Sequence, residues 1–203
     1  MFHPLLTDPV KNSISVSKGV LLTGSNASGK STFLKSAAIC QIFAQTIYTC
    51  PAQDYRTDFF KVISSMALTD NLLNNESYFI VEIKSLKRIF DELGDVPVLC
   101  FVDEVLRGTN TKERIAASTV ILKSLSQKNA FVFAATHDIE LTELLSEYME
   151  NYHFSETVTD TVTFDYKIKK GPSVSRNAIK LLDMYGFGKE IVKEAEKLAE
   201  DQV

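Results

Sequence analysis

The feature that most constrains the fold is an eight-residue stretch close to the N-terminus. Gly24-Ser-Asn-Ala-Ser-Gly29-Lys30-Ser31 matches the pattern G-x-x-x-x-G-K-[ST] at every fixed position. In this pattern, successive backbone N–H groups wrap phosphate oxygens, and a side chain at either glycine would block their approach. The pattern works between a buried strand and a helix, because the helix directs its positive end towards the phosphates. The stretch therefore predicts a strand–loop–helix unit that binds phosphate groups.

The residues around this loop supply that context. Residues 19–23 form a short apolar run, and residues 30–48 carry apolar side chains at helical spacing. Continuous apolar runs at 98–102 and 130–135 are typical of strands buried on both faces of a parallel sheet. The remaining predicted elements are a strand at 61–65, helices at 77–93, 112–126 and 139–149, a hairpin over 151–169 and helices at 175–185 and 189–202. This alternation favours an α/β fold of the P-loop NTPase type, with a mainly parallel sheet flanked by helices.

The size and composition of the chain set further bounds. Its 203 residues predict one domain, with a lead-in at 1–18, a phosphate-binding core at 19–150 and a C-terminal hairpin and two helices at 151–203. The net charge of −4 gives no support for DNA binding by this chain alone. No apolar run approaches the roughly 20 residues of a membrane span, and we predict no membrane contact.

The three cysteines indicate the redox compartment in which the protein works. Cys40, Cys50 and Cys100 are an odd number at wide spacing, without a zinc-binding pattern. Cys40 and Cys100 lie among apolar residues, so we expect buried, reduced thiols. A reducing cytoplasm fits this usage best.

Two acidic residues follow the apolar run at 98–102. Asp103 stands at the carboxyl end of the predicted strand, where it can hold Mg²⁺ directly or through water. Glu104 turns to the other side of the strand axis and can accept a proton from a water that attacks the γ phosphate. A second acid at this place favours hydrolysis of the nucleotide over transfer of its γ phosphoryl group to a bound acceptor.

A histidine follows the next apolar run. His137 comes after residues 130–135, and the carboxyl ends of parallel strands lie at one edge of a sheet, where ligands bind. We therefore expect His137 near the same phosphates, where it senses the γ phosphate or orients the water. With Lys30, which contributes a charge to the β and γ phosphates, the predicted catalytic residues are Glu104, Lys30 and His137.

Taken together, these motifs resemble the ATPase domain of the MutS family of DNA mismatch repair proteins, a branch of the ABC-type ATPases. The resemblance rests on the phosphate loop with Asn at its third position, on Asp103-Glu104 followed by Leu-Arg-Gly-Thr-Asn-Thr, and on Ala135-Thr136-His137. It extends over nearly the whole chain, from His3-Pro4 to the helix at 189–202.

The resemblance implies ATP and Mg²⁺ as the bound groups. Ser31 and Asp103 would be the metal ligands, and one wall of the adenine pocket would be Tyr166, with Val10 opposite. It also implies that two such domains pair head to tail, as a homodimer or with a MutS-like partner, and that Ser77 completes the partner's site. The implied nucleotide contacts are Gly24, Ser25, Asn26, Ala27, Ser28, Gly29, Lys30, Ser31, Thr32, Ser77 and Tyr166.

Several positions differ from the usual pattern of that family. Asn75 stands where the family commonly has Gly, and Arg176-Asn177-Ala178 replaces Ser-Tyr-Gly. These differences favour a divergent MutS-like branch, whose contact with mismatched or structured DNA would lie in regions outside this chain.

Two other functions remain as alternatives at this point. A small P-loop kinase would need an acceptor pocket and a mobile lid, and Glu104 disfavours it. A nucleotide-gated dimerisation module with little turnover would use the same residues without efficient hydrolysis.

Overall fold

A computed structural model of the protein describes residues 1–66, 78–158, 161–173 and 178–200. The strands are β1 (Gly19–Thr23), β2 (Lys61–Ser65), β3 (Val98–Asp103), β4 (Ala130–Ala135), β5 (Met149–His153), β6 (Glu156–Val158), β7 (Val162–Phe164) and β8 (Lys169–Lys170). The helices are α1 (Lys30–Ile47), α2 (Tyr78–Asp91), α3 (Thr111–Ser126), α4 (Glu140–Leu144), α5 (Ala178–Met184) and α6 (Lys189–Glu200).

Six of the strands form one sheet in the order β2-β3-β4-β1-β5-β8. The pairs β2–β3, β3–β4, β4–β1 and β1–β5 are parallel, and only the edge strand β8 runs antiparallel to its neighbour within this sheet. The expected mixed α/β architecture with a mostly parallel sheet is confirmed. Because the parallel strands share one direction, the loops that follow β1, β3 and β4 all emerge at the same edge.

The core lies on both faces of this sheet. Along β1, Val20 and Leu22 pack in one apolar cluster with Phe33 and Leu34 of α1, whereas Leu21 packs in the other cluster. Successive strand residues point to opposite faces, so a strand covered on both sides must be apolar at every position. This explains why the central strands are recognisable in the sequence as continuous apolar runs.

The prediction of a hairpin over residues 151–169 is wrong in its first part. Residues 149–153 form β5, which pairs in parallel with β1 and belongs to the main sheet. The hairpin itself is shorter and consists of β6 paired with β7. Alternation of apolar and polar residues reports which face of a strand is buried, and it carries no information about the partner or its direction.

Two smaller expectations also change. The helix expected at 139–149 is the single short helix α4, because the chain must turn after Leu145 to enter β5 at Met149. In α1, Phe43 follows the helical apolar spacing, yet it is 39% exposed. Position 43 lies on the turn of α1 beyond Ala38, outside the buried stripe that contacts the sheet.

The core contains two cysteine thiols, as expected. Cys40 and Cys100 are buried and free, while Cys50 is partly exposed. Burial raises the pKa of Cys100 to about 12. Burial is the main cause that raises the pKa of Cys40 to about 12, and the neighbouring Cys50 thiol raises it further.

Within the described parts of the chain, no helix combines the length and apolar content that a membrane span requires.

These thiols predict a simple labelling pattern. The thiolate is the reactive form, and a pKa of about 12 leaves on the order of 10⁻⁴ of Cys40 and Cys100 ionised at pH 8. We expect iodoacetamide to modify Cys50 alone in the native protein and all three cysteines in guanidinium, as measured by mass spectrometry. Equal labelling rates for Cys50 and Cys100 in the native state would contradict this burial.

Candidate functional site

The loop between β1 and α1 has the conformation that its sequence pattern predicts. Gly24 has φ 137° and Gly29 has φ 113°, values that side-chain-bearing residues rarely adopt. A Cβ built on Gly24 would lie 2.5 Å from the carbonyl oxygen of Phe154, so this position also lacks space for a side chain. The two glycines thus allow the loop to close directly before the first turn of α1.

The side chain of Lys30 lies at the centre of this loop. Its Nζ donates hydrogen bonds to the carbonyl oxygens of Gly24, at 2.7 Å, and Ser25, at 2.9 Å. Burial lowers the pKa of Lys30, while the nearby carboxylates of Glu104, Asp103 and Glu156 oppose this shift. An ammonium held by two carbonyl groups in a closed loop is a centre of positive charge directed at the loop's concave side.

Two polar atoms near Lys30 stand out. Among the described residues, the Oγ of Ser28 and the Oδ1 of Asp103 are buried and have no hydrogen-bond partner. Buried polar atoms are normally paired, and an unpaired one calls for an explanation such as an ion or a bound group. A phosphate oxygen near Ser28 and a cation near Asp103 would each satisfy one of these atoms.

The acidic residues at the end of β3 meet the histidine that follows β4. Asp103 is in register with Ala135, and the backbone N–H of Glu104 donates to the Ala135 carbonyl at 3.0 Å. The Oε1 of Glu104 lies 2.7 Å from the Nε2 of His137. The ends of β3 and β4 therefore bring Glu104 and His137 into contact at one edge of the sheet.

Glu104 has a second partner that the sequence analysis did not identify. Its Oε2 lies 2.8 Å from the guanidinium of Arg107, three residues later. Glu104 itself has φ 60°, in the left-handed region that non-glycine residues seldom occupy. Such local strain is characteristic of functional sites, and here it turns the carboxylate away from the strand axis towards Arg107 and His137.

The loop that carries His137 is fixed by a partly buried ion pair. Asp138 accepts two hydrogen bonds from Arg114 of α3, at 2.7 Å from Nε and 2.6 Å from Nη2. The backbone N–H of Asp138 also donates to the Oγ1 of Thr136 at 3.0 Å. The available signal in the sequence was a carboxylate three positions after the predicted strand end at Ala135, but its partner on α3 could not be inferred from spacing.

A cavity of about 560 Å³ opens beside the phosphate loop. It is lined by loop residues, including Ser31 and Thr32, by Glu104, and by N-terminal residues that include Val10. Tyr166 lines the same cavity, so the two residues expected to enclose a base border one space. This volume suits a ligand of the size of a nucleotide.

Tyr166 is positioned by the N-terminal segment. The side chain of Asn12 donates to the carbonyl oxygen of Tyr166 and accepts from the N–H of Ile168, both at 2.9 Å. The ring of Tyr166 stacks against Phe164, with centroids 5.8 Å apart. Asn12 thus connects residues more than 150 positions apart, a contact that the sequence analysis did not identify.

Two further acids near the site were also not identified. Glu156 of β6 accepts a 2.6 Å hydrogen bond from the Oγ of Ser25 in the phosphate loop. Glu82 of α2 accepts hydrogen bonds from the backbone N–H groups of Arg107 and Gly108, in the segment that follows Glu104. Ser77, expected to act on a partner's site, lies outside the described residues.

The fold and the site together define the class of protein to which this chain belongs. The chain is an α/β protein whose mostly parallel sheet presents a glycine loop, an acidic pair and a histidine at one edge. A sequence model of the family described as MutS domain V matches residues 20–202. The chain belongs to the MutS family.

Individual relatives agree with this assignment. MutS protein homolog 4 of Homo sapiens is 31% identical over 97% of this chain, and the DNA mismatch repair protein MutS of Thermus aquaticus is 30% identical over 97%. The DNA mismatch repair protein MutS of Streptococcus suis is 32% identical over 88% of the chain. The chain spans about a quarter of these relatives, covering 23%, 25% and 22% of their lengths.

The partly buried Arg114–Asp138 pair predicts a stability difference. Arg114→Lys keeps the charge but loses the bidentate geometry, and it should lower the free energy of unfolding by about 1–3 kcal/mol. Arg56 forms the matched control, because its 3.8 Å contact with Asp54 lies on the surface, and Arg56→Lys should change stability by less than about 0.5 kcal/mol. Urea unfolding of both variants measures the difference, and equal values would contradict the assigned role.

Proposed function

We propose that this chain is the ATP-binding and ATP-hydrolysing domain of a MutS-like protein. The observation that carries the proposal is the contact between Glu104 and His137 at the sheet edge beside the Lys30-centred loop. A structural role alone would leave unexplained why Glu104 and the buried ammonium of Lys30 line one cavity while His137 contacts Glu104. Family membership supports the same function.

Phosphate binding follows from the loop and its lysine. Backbone N–H groups of residues 24–32 and the N-terminus of α1 would receive the phosphate oxygens, and Lys30 would neutralise their charge. Desolvation of the Lys30 ammonium favours an anionic ligand, because a phosphate would replace the water that burial has removed.

The residues at the end of β3 and the start of α1 also fit Mg²⁺. Ser31 and Asp103 would hold the ion, and the unpartnered Oδ1 of Asp103 is the type of hard oxygen that this ion prefers. The ion, when bound, neutralises charge on the phosphates.

Hydrolysis would use Glu104 as the general base. Its carboxylate would take one proton from a water molecule whose oxygen attacks the γ phosphorus, and ADP would leave. His137 holds one carboxylate oxygen at 2.7 Å and can orient Glu104 or the water. Arg107 occupies the other oxygen, so its displacement would free Glu104 to face the water.

The remaining cavity walls suit the adenosine part of ATP. The ring of Tyr166 offers one flat surface for the base, and Val10 offers an aliphatic surface from the N-terminal segment. An aliphatic wall makes van der Waals contact with the base but lacks a second ring for stacking.

The partners belong to the same proposal. Head-to-tail pairing of two ATPase domains, as a homodimer or with a MutS-like subunit, would place Ser77 of each chain at the other's γ phosphate. Contact with mismatched or structured DNA would come from parts of the protein beyond this domain, because this chain spans only 23% and 25% of the lengths of two of its relatives. The free thiols of the core fit a cytoplasmic protein.

The role of Glu104 predicts a separation of binding from turnover. Glu104→Gln should lower kcat by about 10²- to 10⁴-fold, because the amide cannot accept the proton, while ATP affinity stays close to that of the wild type. Glu147→Gln removes an exposed carboxylate elsewhere and should leave kcat unchanged. Steady-state phosphate release and calorimetric ATP titration measure both quantities, and unchanged turnover in Glu104→Gln would remove this residue from its role.

Pairing of two domains predicts a dependence on protein concentration. If each site is completed by a partner, the ATPase rate per subunit should rise with protein concentration in the presence of Mg²⁺. ATP-dependent dimerisation without turnover would favour a nucleotide-gated module instead, and phosphate transfer to a nucleoside or metabolite would favour a small kinase. A rate independent of concentration would support either a preformed dimer or a site complete within one chain.

A further inference from the structure

The structure contains an acid that none of the functions above uses. Glu82 of α2 is only 2% exposed, although isolated carboxylates are rarely buried. Its Oε1 accepts a hydrogen bond from the backbone N–H of Arg107, and its Oε2 accepts one from the backbone N–H of Gly108, both at 3.1 Å. The side chain is therefore directed at the segment that begins with Glu104.

We propose that Glu82 is a positioning residue for ATP hydrolysis, because its carboxylate holds the backbone of residues 104–108 and thereby the direction in which Glu104 points. This inference rests on the ATPase function proposed above. It assigns to α2 a part in the chemistry, although none of the described side chains of α2, at residues 79–91, lines the cavity beside the phosphate loop.

The close approach of the loop to α2 supports this role. A Cβ built on Gly108 would lie 2.8 Å from the Cβ and 3.2 Å from the Cα of Phe79, one turn before Glu82. Glycine at position 108 lets the backbone lie directly on the helix. The two hydrogen bonds to Glu82 and this contact together define where the loop sits on α2.

The conformation of the loop explains why it needs such support. Glu104 and Leu106 have φ values of 60° and 57°, so two non-glycine residues within three positions adopt left-handed geometry. This geometry is unfavourable for residues that carry a side chain, and it persists only where the surroundings impose it. Burial of Val105 and Leu106 anchors the middle of the segment, and Glu82 anchors its end.

The position of Arg107 makes the connection to Glu104 direct. The backbone of Arg107 is held by Glu82, while its guanidinium lies 2.8 Å from Glu104. A shift of this backbone would move both Glu104 and the cation that occupies one of its oxygens. Burial raises the pKa of Glu82, and the two N–H donors oppose that shift, as expected for a carboxylate that accepts both bonds in its charged form.

The test is Glu82→Gln in the full chain. Glutamine keeps the size of the side chain but turns one acceptor oxygen into an NH₂ donor, which faces another N–H donor. We expect kcat for ATP to fall by about tenfold or more, with an ATP dissociation constant within about threefold of the wild type. Hydrogen exchange of the peptide that contains residues 104–108 should become faster in the same variant.

A matched control lies on the same helix. Asp91 is exposed and pairs with Lys87, so Asp91→Asn removes an acidic charge from α2 without contact with residues 104–108. It should leave kcat and hydrogen exchange of that peptide unchanged. Gly108→Ala disturbs the loop from the other side, through the contact with Phe79, and should reproduce the loss of kcat with retained ATP binding.

The possible outcomes separate this inference from the function on which it rests. Wild-type kcat in a Glu82→Gln protein whose residues 104–108 exchange faster would overturn the positioning role, as would a parallel loss of ATP binding. If Glu82→Gln does not fold, Gly108→Ala replaces it in the test. Wild-type kcat in Gly108→Ala, or a loss of ATP binding that parallels the loss of kcat, would then overturn the positioning role. A wild-type chain that binds no ATP and releases no phosphate would overturn the ATPase function itself, and the positioning role with it.

Discussion

Parallel pairing of three buried strands is the constraint on which the rest of the site depends. β4 lies between β3 and β1, and all three run in the same direction. Their carboxyl ends therefore meet at one edge, and the residues that follow them are brought together although they are far apart in the sequence. The phosphate loop follows β1, Glu104 follows β3 and His137 follows β4.

Charged side chains at this edge lie close to partners of opposite charge. Lys30 is buried among carbonyl oxygens and lies near three carboxylates, while Glu104 lies between Arg107 and His137. Such an arrangement holds each charged side chain in place before a ligand binds.

Particular elements show which parts of the fold and site a sequence pattern can predict. The phosphate loop, β3 and β4 were predictable because a strand buried on both faces must be apolar throughout, and because the loop needs glycines at defined positions. β5 was mistaken for part of a hairpin, since its alternating residues indicate a half-buried strand without naming its partner. Asn12, Glu82 and Glu156 were not recognised as relevant, because polar residues in helices, strand ends and loops are ordinarily solvated.

The sequence by itself predicted the type of chemistry that we propose: a phosphate-binding loop, an acid placed to activate water and a histidine after the next strand. These are local features, in which residue type and spacing dictate backbone conformation and burial. Only the tertiary structure decided which distant residues hold these groups in place. The hydrogen bonds that Glu82 accepts from residues 107 and 108, and those that Asp138 accepts from Arg114, join elements about 25 positions apart. Those of Asn12 with Tyr166 and Ile168 span more than 150 positions. Their geometry follows from strand order and helix packing, which no local pattern encodes.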